Sequence, residues 1–301
     1  MKRILVALLA LAAVGGVAFW FLTSPERQRA GFETIPAGQP DLVNGRTMFF
    51  AGGCASCHAT PQQDDKTRLG GGVALTSAFG TFYAPNISPH PRDGIGAWTP
   101  EQFVRAMRAG VSPDGRHYYP SFPYTSYQRM GVSDLRDLLV FLKTLPAVEG
   151  RAREHDLPFV VTFRRGLGLW KLLFLDGQSF AQDPSKSASW NRGAYLVEGP
   201  GHCGECHSPR NVFGAIVTDQ KFSGGRDPEK EDAWVPNITP HEKGINDWSK
   251  SDVAEVLSSG LTPEGDSVGG SMRAVVRNTS VLRASDRDAI AEYILSLPPR
   301  E

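Results

Sequence analysis

Two five-residue stretches decide how this chain is read: CASCH, Cys54–His58, and CGECH, Cys203–His207. Together they hold all four cysteines. In C-x-x-C-H, two thiols three residues apart can add to the two vinyl groups of one porphyrin. The adjoining histidine then lies under the iron as proximal ligand. A single C-x-x-C also occurs in redox disulfides and as half of a zinc site. A zinc ribbon needs two converging pairs and has no use for a histidine after each. Both copies here carry the histidine. The motifs therefore predict two covalently bound haem c groups, one on Cys54, Cys57 and His58, the other on Cys203, Cys206 and His207. No thiol remains for a disulfide or a cysteine nucleophile.

The repetition extends outward from the motifs at an offset of about 150 residues. YAPNIS, Tyr83–Ser88, is matched by WVPNIT, Trp234–Thr239. TPEQFVRAMRAG, Thr99–Gly110, is matched by SKSDVAEVLSSG, Ser249–Gly260. Each copy closes with SDLRDLLVFLKTLP, Ser133–Pro146, or SDRDAIAEYILSLP, Ser285–Pro298. These closing segments read as helices, with apolar residues at helical spacing (Leu135, Leu138, Leu139, Leu142; Ile290, Tyr293, Ile294, Leu297). Ser133 and Ser285 are their expected N-caps, and Pro146 and Pro298 their expected ends. Thr99 should cap a helix with Pro100 in its first position and Gly110 just past its end. Few segments alternate as strands do, so the sequence predicts an all-α tandem duplication.

Before the first copy lies ILVALLALAAVGGVAFWFL, Ile4–Leu22, without a charge. At ~1.5 Å rise per residue it nearly crosses a ~30 Å hydrocarbon core. Lys2 and Arg3 favour a cytoplasmic N-terminus, which sends the body outward. An Ala-x-Ala pattern occurs at Ala10–Ala12, but the apolar run continues well past it, so an uncleaved anchor is expected rather than a signal peptide. Either reading exports the body.

The C-x-x-C-H motif, the later Pro-Asn-Ile, the Gly-Ile with its following Trp, and the closing helix appear in order in each half. Each half thus resembles a class I cytochrome c domain. The pair resembles the cytochrome c subunits of bacterial membrane-bound alcohol, gluconate and fructose dehydrogenases. The expected division is a membrane anchor at 1–25, cytochrome domains at 40–148 and 189–299, and an apolar connector at 149–188. The resemblance implies that the Pro85 and Pro236 carbonyls take the Nδ1–H of the proximal histidines, and that Trp98 and Trp248 hydrogen-bond a haem propionate. It also implies a methionine as sixth iron ligand. Met272 is the expected ligand in the second copy. In the first copy Phe122 stands at the matching place and offers iron no lone pair. Met130, eight residues on, is the expected substitute, and an open iron is the rival.

The chain has 32 basic and 32 acidic residues, which gives no basic excess for nucleic-acid binding. The expected function is single-electron transfer at the bacterial inner membrane, with the body in the periplasm. Electrons would come from a dehydrogenase or quinol-oxidising partner and pass to another cytochrome or a terminal oxidase. The alternative is a haem enzyme of peroxidase or oxidase type at an open first iron, with His117, His90 and Arg116 nearby in sequence. The connector Leu157–Gly177 is expected to pack between the two domains rather than at the membrane surface.

Overall fold

The computed structural model describes residues 1–27, 34–227 and 233–301. Helix α1 (Lys2–Leu22) is followed by α2 (Leu42–Ala51), α3 (Cys54–His58), a hairpin of β1 (Ala74–Ser77) and β2 (Gly80–Tyr83), α4 (Pro100–Ala109), α5 (Tyr124–Tyr127) and α6 (Val132–Leu142). The connector carries α7 (Phe159–Thr162) and α8 (Leu167–Phe174). The second half repeats the order: α9 (Ala188–Glu198), a 3-10 turn at Cys203–Glu205 in place of α3, a short pair β3 (Gly225–Arg226) and β4 (Trp234–Val235), α10 (Lys250–Ser259), α11 (Met272–Thr279) and α12 (Ala284–Leu295).

Local chemistry sets most of these limits. The Thr99 hydroxyl accepts from Gln102 N while the Gln102 side chain accepts from Thr99 N, a full capping box at the start of α4. Ser249 and Asp252 repeat it on α10. Gly110 and Gly260 end these helices with φ of 59° and 82°, in the left-handed region where a side chain is strained. Ser133 and Ser285 are not caps. Helices α6 and α12 start from Gly131 and Arg283, neither of which caps through its side chain. Both serines fall in the first turn, beside Asp134 and Asp286, whose charge suits the helix N-terminus.

The two long helices of each half cross at a glycine. A Cβ on Gly45 of α2 would lie 2.2 Å from the Asp137 carbonyl oxygen of α6. One on Gly193 of α9 would lie 1.9 Å from that of Ala289 in α12. Asn44 fixes the first crossing by donating to Asp134 (2.8 Å) and Asp137 (2.9 Å). Arg192 fixes the second by donating to Asp286 at 2.8 Å. Both crossings feed one continuous apolar core, in which Met48, Leu138 and Met130 of the first half join Leu196, Leu282 and Ile290 of the second.

The connector packs between the halves only in part: the Trp170 ring meets Tyr124 of the first half edge-on at 6.1 Å and its Nε1 donates to the Phe213 carbonyl of the second half at 2.9 Å. Helix α8 buries Gly168 and Lys171, while Leu172 and Leu173 stay exposed. Gly168 lies against the backbone of Thr23, just after α1. Lys171, 1% exposed, donates to the carbonyls of Ala109 (2.7 Å) and Gly110 (2.6 Å) at the end of α4. It also reaches His117 Nδ1 at 3.1 Å and sits 4.6 Å from the centre of the Tyr124 ring. Free carbonyls at a helix C-terminus suit an ammonium. Burial, and next Arg105, nevertheless pull the Lys171 pKa well below the ordinary lysine range. On its other side, His117 Nε2–H donates to the Thr23 carbonyl at 2.9 Å.

This arrangement needs a neutral His117, because Nδ1 must accept. Burial first, and Lys171 second, bring its pKa from 6.5 to about 4. The unfolded chain therefore takes up this proton before the folded one. The stabilisation is complete above pH 6.5 and is lost as pH falls towards 4. Calorimetric unfolding midpoints should fall through this window. They should fall less steeply in His117→Gln, whose amide can both accept and donate without titrating. An unchanged slope in that variant would assign the acid sensitivity to other groups.

Candidate functional site

The sequence places both motifs at the end of the first long helix of each half, and the structure gives each histidine the same partner. His58 Nδ1 lies 2.8 Å from the Pro85 carbonyl, and His207 Nδ1 lies 2.8 Å from that of Pro236. A carbonyl only accepts, so Nδ1 carries the proton and each Nε2 keeps its lone pair. Burial lowers both histidine pKa values, against the proline carbonyls, which favours the neutral, ligating imidazole. Each strap is braced. Gly71 N donates to the His58 carbonyl (2.8 Å) and Gly224 N to that of His207 (2.9 Å). A Cβ on Gly71 would meet the Pro85 oxygen at 2.6 Å, so glycine lets the strap close on the histidine loop. Asn86 and Asn237 anchor the straps to the ends of the closing segments, at Val148 (2.8 Å) and Arg300 (2.7 Å).

Burial pushes the Cys54 and Cys203 thiols up to about 12. Among the described residues no cluster of His, Cys, Asp and Glu could hold a bare metal ion, so the two C-x-x-C pairs do not converge as a zinc ribbon requires. Two thiols and an imidazole with a free Nε2, repeated in two apolar surroundings, fit a covalently held porphyrin.

The expected sulfurs lie just before α6 and at the start of α11. Met272 opens α11, half-buried against the common core. In the first half the segment His117–Met130 folds as an aromatic wall centred on Phe122. Its ring meets those of Tyr118 (5.7 Å), Tyr124 (6.5 Å) and Tyr127 (5.5 Å) edge-on. Met130 ends the wall, 1% exposed, in the core that also takes in Cys54 and Phe122. Its Cγ lies 3.7 Å from where a Cβ on Gly199 would be, so it also touches the second half. Trp98 and Trp248 pack half-buried against the core at matching places.

The structure also brings the two motifs together, which the sequence did not disclose. His202, one residue before Cys203, donates from Nε2 to the Gly52 carbonyl at 3.3 Å and meets the Tyr127 ring edge-on at 5.6 Å. Its φ of 39° is left-handed, a conformation that costs a histidine energy and that Gly53 supplies freely in the first copy. Asn278 of α11 donates to Ser56, inside the first motif, at 3.0 Å. Glu205, inside the second motif, accepts from Thr125 (2.7 Å) and Ser126 (2.9 Å) and pairs with Arg210 (2.7 Å). Burial works to raise the Glu205 pKa, but Arg210 and the two hydroxyls outweigh it and hold it below the carboxylate range. Tyr127 titrates well above an ordinary tyrosine because of burial, then the charges of Cys54, Cys57 and Glu205. The one signal available beforehand was composition: an acidic residue, Glu205, inside the second motif.

Of the two histidines considered for acid–base work, His117 is held at both ring nitrogens and His90 at Nδ1. His117 is taken by Lys171 and Thr23, and His90 Nδ1 accepts from Asp93 N at 3.1 Å.

Comparison with known proteins agrees with this geometry. The sequence profile of the cytochrome c family matches residues 42–146. A diheme cytochrome c-type protein of Cereibacter sphaeroides is 47% identical over the full length of both chains. The fructose dehydrogenase cytochrome subunit of Gluconobacter japonicus is 34% identical over 89% of this chain. The cytochrome c subunit of the quinone-linked alcohol dehydrogenase of Gluconobacter oxydans is 33% identical over 85% of it. The chain spans 55% of each of those two longer relatives.

Proposed function

The chain belongs to the cytochrome c family, and we propose that it binds two haem c groups, one per motif, and conducts single electrons between redox partners. The doubled histidine–proline pair carries this reading. When bound, each group supplies a one-electron couple at its iron, and the protein sets potential, spacing and docking. Cys54 with Cys57, and Cys203 with Cys206, would hold the macrocycles, and His58 and His207 would bind iron through Nε2. Met272 and Met130 would give the sixth ligands. The Tyr127–His202 contact and the buried Glu205 would form the partition between the two groups.

The identity with dehydrogenase cytochrome subunits supports a dehydrogenase, or a quinol-oxidising partner, as donor, and another cytochrome or a terminal oxidase as acceptor. Helix α1, long and apolar enough to cross a bilayer and unburied along its length, would hold the body on the periplasmic face of the inner membrane. The repeat of elements supports the division into 1–25, 40–148, 149–188 and 189–299.

Pyridine haemochrome quantitation of the purified protein should give two haems per chain, and reductive titration two one-electron steps. Replacing Cys54 and Cys57, or Cys203 and Cys206, by alanine should leave one haem. Two haems surviving either replacement would refute the assignment. Turnover of peroxide by the wild type would favour the enzymatic reading.

A further inference from the structure

The geometry points to a second membrane contact: a ledge formed by the connector and one loop of the second half, lying in the outer leaflet of the bilayer that α1 crosses. The ledge is made of Phe159 and Val160 on α7, Phe163, Leu172 and Leu173 on α8 and its approach, and Phe213 of the second half. These side chains are far from buried, with Phe159 at 92%, Val160 at 79%, Leu173 at 73% and Phe213 at 60% exposure. Isolated exposed apolar residues are ordinary, but a contiguous patch marks an interaction surface. Ring contacts and one hydrogen bond join its α8 side to Phe213 of the second half. Trp170 donates from Nε1 to the Phe213 carbonyl at 2.9 Å, and Phe174 bridges Trp170 (5.1 Å) and Phe213 (6.2 Å).

The occupant follows from what the patch adjoins. Phe163 stacks on Phe19 of α1, with rings 6.2 Å apart and 9° from parallel, so the ledge begins where the apolar helix ends. Arg165 stacks over Trp20 at 4.1 Å, donates to the Trp20 carbonyl, and donates to the Thr23 hydroxyl at 3.0 Å. Tryptophan and arginine at the end of an apolar helix mark headgroup depth. A surface fixed to that level, apolar outward and basic at its edge, matches an interfacial segment lying in the plane of the membrane. The clamp around Thr23 makes the attachment rigid: His117, Arg165 and Gly168 all contact it. The first haem site would then be held at a fixed tilt near the bilayer rather than swinging on a tether.

The inference rests on the reading of α1 as a membrane helix, and the test separates the two. Single cysteines are introduced at Val160, at Val14 in α1, and at Val43, an exposed valine of α2 outside the ledge. Each holoprotein is spin-labelled and reconstituted, full-length, in vesicles of phosphatidylethanolamine and phosphatidylglycerol. Collision of the label with oxygen, which concentrates in lipid, is compared with collision with a water-soluble nickel chelate. The label at 160 should resemble that at 14, open to oxygen and shielded from nickel, and the label at 43 should show the reverse. A label at 160 that is open to nickel, with 14 still lipid-like, would overturn the ledge and leave the anchor standing. Nickel access at 14 would remove the anchor and the ledge with it. Shielding of 160 from both agents would mean that protein, not lipid, covers the patch, which also overturns the proposal.

Discussion

Gly193→Val should prevent the second half from folding, lowering haem content to one per chain. Glycine inside a helix ordinarily costs about 1 kcal/mol relative to alanine, so on propensity alone a replacement other than proline should stabilise α9. Packing reverses the sign. A Cβ at Gly193 would lie 1.9 Å from the Ala289 carbonyl oxygen and 3.0 Å from the Tyr293 Cβ. The nearest atom is backbone, which cannot rotate away, so the helices must separate. That opens the core around Leu196, Ile290 and Ile294. Overpacking alone costs about 1–3 kcal/mol. Forcing apart two main chains, with the loss of the Arg192–Asp286 pair, should exceed about 4 kcal/mol, a large share of a domain's ~5–15 kcal/mol. Gly45→Val should do the same to the first half, since its Cβ would meet Asp137 O at 2.2 Å. Gly15, with nothing within 4 Å of such a Cβ, is the control: Gly15→Ala should leave unfolding and haem content unchanged. Haem quantitation and thermal unfolding of the three variants check the order. Equal stability of Gly193→Val and wild type would show that the crossing is loose.

The repeat was legible because its determinants are local. The C-x-x-C-H spacing, the Thr99–Pro100–Gly110 helix limits and the Pro-Asn-Ile straps each depend on a few adjacent residues, and all lie where the pattern placed them. The starts of α6 and α12 differ from the serine caps expected because no side chain closes those helices. Tertiary contacts do so instead, such as the Tyr195 hydroxyl that accepts from Gly131 N at 3.2 Å. The connector is ambiguous for a different reason. Its apolar composition fits burial in protein or in lipid equally well, and no local pattern records that Phe163 lies against Phe19 of α1. The joining of the two motifs through His202, Tyr127 and Glu205 depends on how the halves face each other, which no local pattern records.

Met130→Leu should remove one iron's methionine charge-transfer band and raise carbon monoxide uptake by the reduced protein from none to one per chain. Met272→Leu should do the same for the other iron, and the double variant should bind two. Counting from the glycines that end α4 and α10 puts Phe122 opposite Met272, so the first copy lacks sulfur at the usual place. Phe122 is instead the hub of three tyrosine rings and offers no lone pair. From those glycines to the start of the closing helix the first copy has two residues fewer than the second, and α5 has half the length of α11. Met130 lies behind the wall, in the core shared with Cys54. A buried thioether at that point is the one flexible donor the segment offers. The opposing pull is also structural. Counting back from the closing helices aligns Met130 with Leu282, and its Cγ rests against Gly199 of the second half. Leucine preserves that packing almost isosterically, typically for less than about 1.5 kcal/mol, while abolishing ligation. The substitution therefore separates the roles. If Met130 only packs, the Met130→Leu spectrum, carbon monoxide stoichiometry and potentials all stay at wild-type values. If wild type itself already binds one carbon monoxide, the first iron is open and Phe122 is the reason. If Met130 is the ligand, one haem changes in all three measurements, its potential falling because the methionine that raised it is gone.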